Sequence, residues 1–381
     1  MIEAFVSIKR NTLFSYFTSS IVPARKPGIK MEGGGRVVYM FLAAFLCFNI
    51  AQHAFVSCAL TSELQRKIAE ANQEGPYLGL VIPITFELHP LLQNPAYTAS
   101  DTIIDLAGRR FRFGAIGEKP VILVMTGLSI INAAITTQLL LSFFAIEGVV
   151  HYGIAGNANP SLHVGDVTIP QHWAHLGLWS WQRYGLGPDD KLPLENNGDY
   201  TRNIGFLNFA DFTSNVSADI SADNQLNNIW FQPEEIFPVD GIPEERQHAF
   251  WVPIDPNYYH IAKKLQDLEL ERCINSTTCL TSIPKVEFVK RGISQSIYVD
   301  NSAYRTFMYN KFEASPVDME TASVALVCHQ QRLPFIAIRA VSDLAGGGSA
   351  GANEADTFLS IAATNAVSVV IEFVKLLSLH S

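Results

Sequence analysis

Charge is scarce in this chain, and positive charge is the scarcer kind. Of 381 residues 17% are charged, with 27 Lys and Arg against 36 Asp and Glu, a net charge of −9. That balance argues against a surface for nucleic acid or an anionic membrane, both of which call for a basic patch. Cysteine is also sparse, with five in all, and no Cys/His spacing resembles a zinc site. Neither a metal nor a bound cofactor is therefore expected. No internal repeat or low-complexity tract appears, which sets aside repeat architectures, and a 48% hydrophobic composition sets aside disorder.

What is present begins with an unusual N-terminus. Residues 1–30 are basic and aromatic (Lys9, Arg10, Arg25, Lys26 and Lys30) without a helical period. They read as an unstructured leader, or as untranslated sequence upstream of a start at Met31. From Met31 the chain has the parts of a secretory signal, expected to span 31–58. Arg36 supplies the positive region, 37–51 the apolar run, and Ser57, Cys58 and Ala59 the small residues of a cleavage site near 57–60. The apolar run, about 15 residues long, is short for a membrane span; a signal anchor is the rival reading. The expected destination is the secretory pathway, extracellular or vacuolar, with no membrane contact once the signal is removed. Cys273 and Cys279 are spaced for a small-loop disulfide that an oxidising compartment permits. Glycosylation sequons occur at Asn275 and Asn215.

From residue 59 onward, buried strands and helices alternate, which predicts an α/β layered domain over 59–381. Helices are expected at 61–72, 131–144, 256–271, 319–331 and 358–377. Strands are expected at 78–82, 102–107, 110–116, 121–126, 148–154, 166–170, within 286–299, and at 335–341. A polar loop and a helix are expected after Pro90, and a hairpin at Gly108-Arg109. Residues 173–255 hold all five tryptophans and read as an insertion with short strands, serving as a lid, an oligomer contact, or both.

The stretch 315–348, SPVDMETASVALVCHQQRLPFIAIRAVSDLAGGG, organises the rest. It pairs a helix whose start carries Asp318 and Glu320 with a strand that runs out at Ser342-Asp343. In open α/β sheets, ligands collect beyond the carboxyl ends of strands, so two acidic groups arriving there are candidates for acid-base chemistry. A second reading is open: Asp318 and Glu320 can complement a helix dipole, and Ser342-Asp343 can cap a helix.

VDMETA and IRAVSDLA resemble the V-E-M-E-A-x-A and V-R-x-x-S-D signatures of the nucleoside phosphorylase superfamily. The nearest branch is the methylthioadenosine/S-adenosylhomocysteine nucleosidases with the plant bark and vegetative storage proteins. LGLVIPITFELHPL (78–91), VILVMTGLSIINAA (121–134) and VVHYGIAGNANPSLHVGDVTIP (149–170) are similar to three further segments, in the order that the family requires. The resemblance implies a three-layer α/β fold with a central, mostly mixed β-sheet flanked by helices. It also implies cleavage of a purine nucleoside through an oxocarbenium-like transition state. Asp343, oriented by Ser342, would protonate the purine, and Glu87 would activate the attacking water. Glu320 would hold the ribose hydroxyls above Met319. Tyr298 and Val299 would face the base, although Tyr298 reads equally as a core aromatic. Gly127, Ser129 and Gly156 would shape the sugar and base loops. A nucleoside is the implied partner, phosphate a possible co-substrate, and a homo-oligomer the implied assembly.

Several positions depart from the family pattern. Ile84-Thr85-Phe86 replaces an acidic run, Leu128-Ser129-Ile130 replaces G-x-G-K-V, and Asn157-Ala158 replaces the glycine pair that follows A-G in the central loop. Arg109, Arg110 and Arg112 are available to an anion or, as readily, to solvent. His151 sits at the site end of its strand without an assigned role. Two other readings of the fold therefore stand beside the enzyme: a storage or wound-response protein, and a nucleoside binder without turnover.

Overall fold

The computed structural model describes residues 60–182, 204–208, 228–346 and 350–379. The expected leader and signal, and the sequon at Asn215, lie outside them. Residues 62–381 group as one unit.

The first strand, β1 (Tyr77–Ile82), is buried at all six positions, as its unbroken apolar run requires of a strand covered on both faces. It follows α1 (Ser62–Gln73) and leads into α2 (Thr85–Gln93). Three antiparallel strands come next: β2 (Tyr97–Leu106), β3 (Arg109–Ile116) and β4 (Lys119–Met125). After α3 (Ile130–Phe143) comes the long β5 (Ile146–Asn157), then β6 (Val167–His175). Within the expected insertion are β7 (Trp179–Gln182), β8 (Phe206–Asn208), β9 (Asn228–Phe231), β10 (Glu234–Ile236), β11 (Gln247–Ala249) and β12 (Val252–Pro253). The chain continues through α4 (Pro256–Ala262), β13 (Val286–Ser294), α5 (Ser302–Phe312), β14 (Ala314–Asp318), α6 (Thr321–Gln330), β15 (Phe335–Leu344) and α7 (Ala350–Ser378).

Strand pairing makes a mixed sheet with an open wing and a closed ring. The wing runs β2-β3-β4-β1 up to β5. The ring follows from the remaining pairs: β5 with β15, β15 with β6, β6 with β13, β13 with β14, and β14 back to β5. On one edge, β5 runs beside β1 up to His151 and meets β14 at Gly156. Over 152–155 that edge has no strand partner. This gap is where the ring opens and where ligand-facing groups can enter. Helix α7 packs on β15 and β5, and α3 packs on α6. Residues 357–378 of α7 are long and apolar enough to cross a membrane, but about two thirds of that stretch is buried in the fold, as in a core helix.

Several expected boundaries move. Strand β5 continues through Asn157 instead of ending at 154, because Gly156 and Asn157 pair with β14. The helix expected after Pro90 lies earlier, with Pro90 inside the nine-residue α2, and residues 97–106 are strand. A proline breaks the helical pattern in sequence, yet one missing N–H is tolerated in so short a helix. Helix α4 gives way to a 3₁₀ turn at Lys263–Leu265, where bonds from Gln266 to Lys263 and Leu268 to Leu265 tighten the chain. Helix α5 and strand β14 were not anticipated, so Asp318 ends a strand rather than starting a helix.

Cys273 and Cys279 form a disulfide, the Asn275 loop between them is exposed, and Cys328 is buried. The described insertion strands do not line the cavity at the ring mouth. Instead Leu207, Ile229 and Phe231 pack in one cluster with Val299, Val317 and Ala345, which do line it. In its described part the insertion therefore backs a wall of the cavity and does not cover it.

Candidate active site

A cavity of about 190 Å³ opens at the gap in the ring. Five strand ends and loops meet there: β1–α2 (Pro83, Ile84, Glu87), β4–α3 (Leu128), β5 (Ile154, Ala155, Gly156), β13–α5 (Ile297, Tyr298, Val299) and β14–α6 (Val317, Asp318, Met319, Glu320). Strand β15 adds Ser342 and Asp343. Of the expected site residues, Glu87, Gly156, Tyr298, Val299, Met319, Glu320, Ser342 and Asp343 share this one lining. Gly127 does not; it lines a neighbouring cavity with Arg109, Arg110 and Arg112. Ser129 reaches the site through its backbone, whose N–H donates to Glu320 Oε1 at 2.8 Å.

Local chain geometry explains how each carboxylate is held. Glu87 lies in the first turn of α2 and accepts from the Ile84 N–H at 2.9 Å, capping its own helix. Its other oxygen accepts from the Ile154 N–H at 2.8 Å. Ile154 lies in the stretch of β5 that lacks a strand on that edge, so a side-chain carboxylate stands in for the missing ladder. The substitution needs room. A Cβ at Gly153 would collide with Glu87 Oε1 and Arg339 Nη1, so only glycine lets both groups approach the strand. Ser129 holds φ at 90°, a strained value for a residue with a side chain, and this aims its N–H at Glu320.

Sequence reasoning missed the residue at the centre. Arg339, in the middle of apolar β15, is fully buried. Its Nε lies 2.7 Å from Asp318 Oδ2 and donates to Thr321 Oγ1 at 2.9 Å. Nη1 donates to the Ile154 carbonyl at 3.3 Å, and Nη2 meets Nε2 of His151. Glu320 and Glu87 stand further off, at 3.6 and 3.9 Å. Asp318 also accepts from the Ser294 and Thr321 hydroxyls and from the Glu320 and Thr321 N–H groups. It is thus a structural anchor for the guanidinium, which a helix-dipole reading does not capture. A signal was available in the sequence: a charge inside a doubly covered strand has to be paired.

One cation among three carboxylates cannot neutralise them all. Burial pushes Glu87 up to about 7, opposed by Arg339 and by the two backbone donors. Burial, with the charge of Asp318, likewise pushes Glu320 up to about 7 against the pull of Arg339. Asp343 is raised by burial, opposed by the Ser342 hydrogen bond. Ser342 Oγ lies 2.6 Å from Asp343 Oδ1 and 3.1 Å from the Ala155 carbonyl. A hydroxyl has one hydrogen. Ser342 therefore either donates to an ionised Asp343, or donates to Ala155 and accepts from a protonated one. Tyr298 is 73% exposed on the rim, which rules out its reading as a core aromatic. Arg110 is paired to Asp105 on the surface, and Arg109 bonds Thr136 and Asn132.

The Phosphorylase superfamily sequence model matches residues 77–375. Bark storage protein A of Populus deltoides is 32% identical over 273 residues, covering 71% of this chain and 80% of that protein. The 5′-methylthioadenosine/S-adenosylhomocysteine nucleosidase of Staphylococcus haemolyticus is 25% identical over 275 residues, 72% of this chain and 90% of the other. Among solved structures, the nucleosidase of that name from Neisseria meningitidis, in complex with methylthio-immucillin-A, aligns with a TM-score of 0.52 at 21% identity, over 78% of this chain and 98% of its own. That likeness concerns the fold. A match running from β1 into α7, across every element that lines the cavity, means that this chain belongs to the phosphorylase superfamily.

Proposed function

We propose that this chain cleaves the N-glycosidic bond of a purine nucleoside, with water as the nucleophile. One observation carries the reading: Glu87, Glu320 and Asp343 converge on one cavity, and burial raises all three toward neutrality. Departure of the base leaves positive charge on the sugar and negative charge on the leaving purine, so the reaction needs an acid on the base side and a base on the sugar side. Asp343, raised by burial, serves as the acid. Glu87, raised by burial to about 7, accepts the proton of the attacking water. Glu320 has Oε1 held by Ser129, which leaves Oε2 for a ribose hydroxyl over Met319. Ile297, Tyr298 and Val299 supply apolar surface for the base. A phosphate nucleophile calls for arginines or an anion nest. Among the described residues the lining holds no Lys or Arg, and nearby Arg339 has its nitrogens engaged, which favours water.

A second reading, storage on the same fold, draws on the 32% identity to a bark storage protein. Passage through the secretory pathway and a homo-oligomeric state belong to either reading. The exposed Leu128, Ile131 and Ile135 beside the cavity offer a surface for self-association. The deciding measurement follows free base released from methylthioadenosine, adenosine, inosine and cytokinin ribosides, each with and without phosphate. Phosphate-independent release that drops at least about 100-fold in Asp343→Asn supports the enzyme. No release from folded protein transfers the case to storage.

A further inference from the structure

His151 is fully buried on β5, two residues before Gly153 and outside the catalytic scheme above. The chemistry of its partners assigns its ring. Nδ1 lies 2.8 Å from the Val81 carbonyl, which can only accept, so Nδ1 carries the hydrogen. Nε2 meets Nη2 of Arg339, and a guanidinium can only donate, so Nε2 is the acceptor. The ring is therefore a neutral Nδ1–H tautomer, held at one end by the last residue of β1 that pairs with β5.

The same contact decides where the guanidinium rests. Arg339 is drawn tightly to Asp318 but stops short of Glu320 and Glu87, at 3.6 and 3.9 Å. The groups that engage its Nη1 and Nη2 within hydrogen-bonding reach are neutral: the Ile154 carbonyl and the His151 ring. Without the ring, Nη2 would have one strong acceptor within a small rotation, Oε2 of Glu320. That is the oxygen not engaged by Ser129, which donates to Oε1; the Met319 N–H also acts on this carboxylate. We propose that His151 is a positioning residue. By accepting from Nη2 it holds Arg339 off Glu320 and keeps that carboxylate open to a ligand hydroxyl. The role of the ligand hydroxyl rests on the nucleoside-cleaving reading; the arrangement of Arg339 and Glu320 does not.

The charged and titratable groups around this contact are Arg339 on β15, Glu87 on α2, and Asp318 and Glu320 at the β14–α6 junction. On its own strand, the neighbouring Tyr152 has a phenol raised by burial and, to a smaller degree, by Glu87, so it stays protonated. Burial and then the Arg339 charge hold His151 well below its ordinary value. Glu87 and Glu320 are both raised to about 7.

The test uses protein labelled with ¹³C-carboxyl glutamate and ¹⁵N-histidine, as wild type, His151→Gln and His151→Leu. Gln can accept from Arg339 and donate to Val81; Leu can do neither. The Glu320 resonance, assigned with Glu320→Gln, is expected to titrate near 7 in wild type and in His151→Gln. In folded His151→Leu its midpoint should fall by at least about one pH unit, because a direct ion pair favours the ionised form. Base release should then fall at least about tenfold in the Leu variant and recover to within about threefold in Gln. An unchanged Glu320 midpoint in folded His151→Leu overturns the proposal, as does a loss in Gln equal to that in Leu. If the Leu variant does not fold, the Gln comparison and the wild-type ring decide. Nδ1 should stay protonated and Nε2 bare across about pH 5–8, and a ring that titrates there or carries its hydrogen on Nε2 overturns the proposal. Should wild type release no base, the nucleoside-cleaving reading fails while the titrations still decide the role of His151.

Discussion

At its N-terminal end β5 contributes Glu147 to an ion pair with Lys119 of β4; at its C-terminal end it runs past Arg339, which faces Asp318, Glu320 and Glu87. Both cations are buried, but their surroundings differ. Lys119 meets one carboxylate, so the charges match; the paired oxygen, Oε1, is buried, but the Glu147 side chain as a whole keeps 28% of its surface exposed. Arg339 meets three carboxylates that are almost wholly enclosed. One of them, Asp318, takes the close contact. The other two carry uncompensated charge, and burial moves both up to about 7. The ion pairs at the two ends of β5 thus do different things. The matched pair ties strands together, whereas the mismatched one leaves two carboxylates raised to about 7.

The largest expected effect tests that contrast directly. Arg339→Met leaves three enclosed carboxylates without a cation and should cost about 3–5 kcal/mol, as when one partner of a buried pair is removed. Lys119→Met leaves a carboxylate that reaches water and should cost less, about 1–3 kcal/mol. Urea denaturation of the two variants at neutral pH measures both. Equal losses would mean that exposure of Glu147 does not matter and would break the comparison.

An effect of comparable size concerns pH. The folded values of Glu87 and Glu320 are raised above their ordinary 4.5 to about 7. Between these values the folded protein holds protons that the unfolded chain has lost. Stability should therefore fall as pH rises from about 4.5 to 7 and level off above, by roughly 3 kcal/mol for each carboxylate at most. Denaturation at pH 5 and at pH 7.5 reads this slope, and Glu320→Gln should flatten it. A slope of the opposite sign would place both glutamates in the ionised state throughout.

The smallest effect compares two glycines on β5. A Cβ at Gly153 would strike Glu87 and Arg339, and one at Gly148 would strike the Tyr258 hydroxyl. Either alanine should cost about 1–3 kcal/mol through overpacking. Only Gly153→Ala should also shift the pH dependence of base release, since only it displaces the mismatched charges. A shift in both variants would mean that the two ends of the strand are coupled.

Legibility from sequence divides along similar lines. The buried strands 78–82 and 335–341 and the helix at 319–331 could be read because continuous apolar runs have few other uses. Glu87, Glu320 and Asp343 could be named because they fall in motifs that the family resemblance carries. Strand β14 was not readable: ASPVD contains a proline and an aspartate, and pairing on both sides, with β13 and β5, makes it a strand. In the sequence His151 stands at a strand end with no evident role, and Arg339 lies inside an apolar run. Their importance depends on partners that lie far off in the chain: Val81 is 70 residues from His151, and Arg339 and His151 are 188 apart.

By itself, the sequence determined the α/β class, the order of the carboxylate-bearing segments and the scarcity of positive charge. Those properties reside in local pattern and composition, which folding does not alter. Tertiary structure alone decided that the ring of strands leaves one edge of β5 without a strand over 152–155 while the other pairs with β15, that Glu87 fills the gap, and that one guanidinium is shared among three carboxylates. The reason is physical. How much a charge costs or gains depends on how much water reaches it and on what lies within a few ångströms, and both are set only when distant segments pack together.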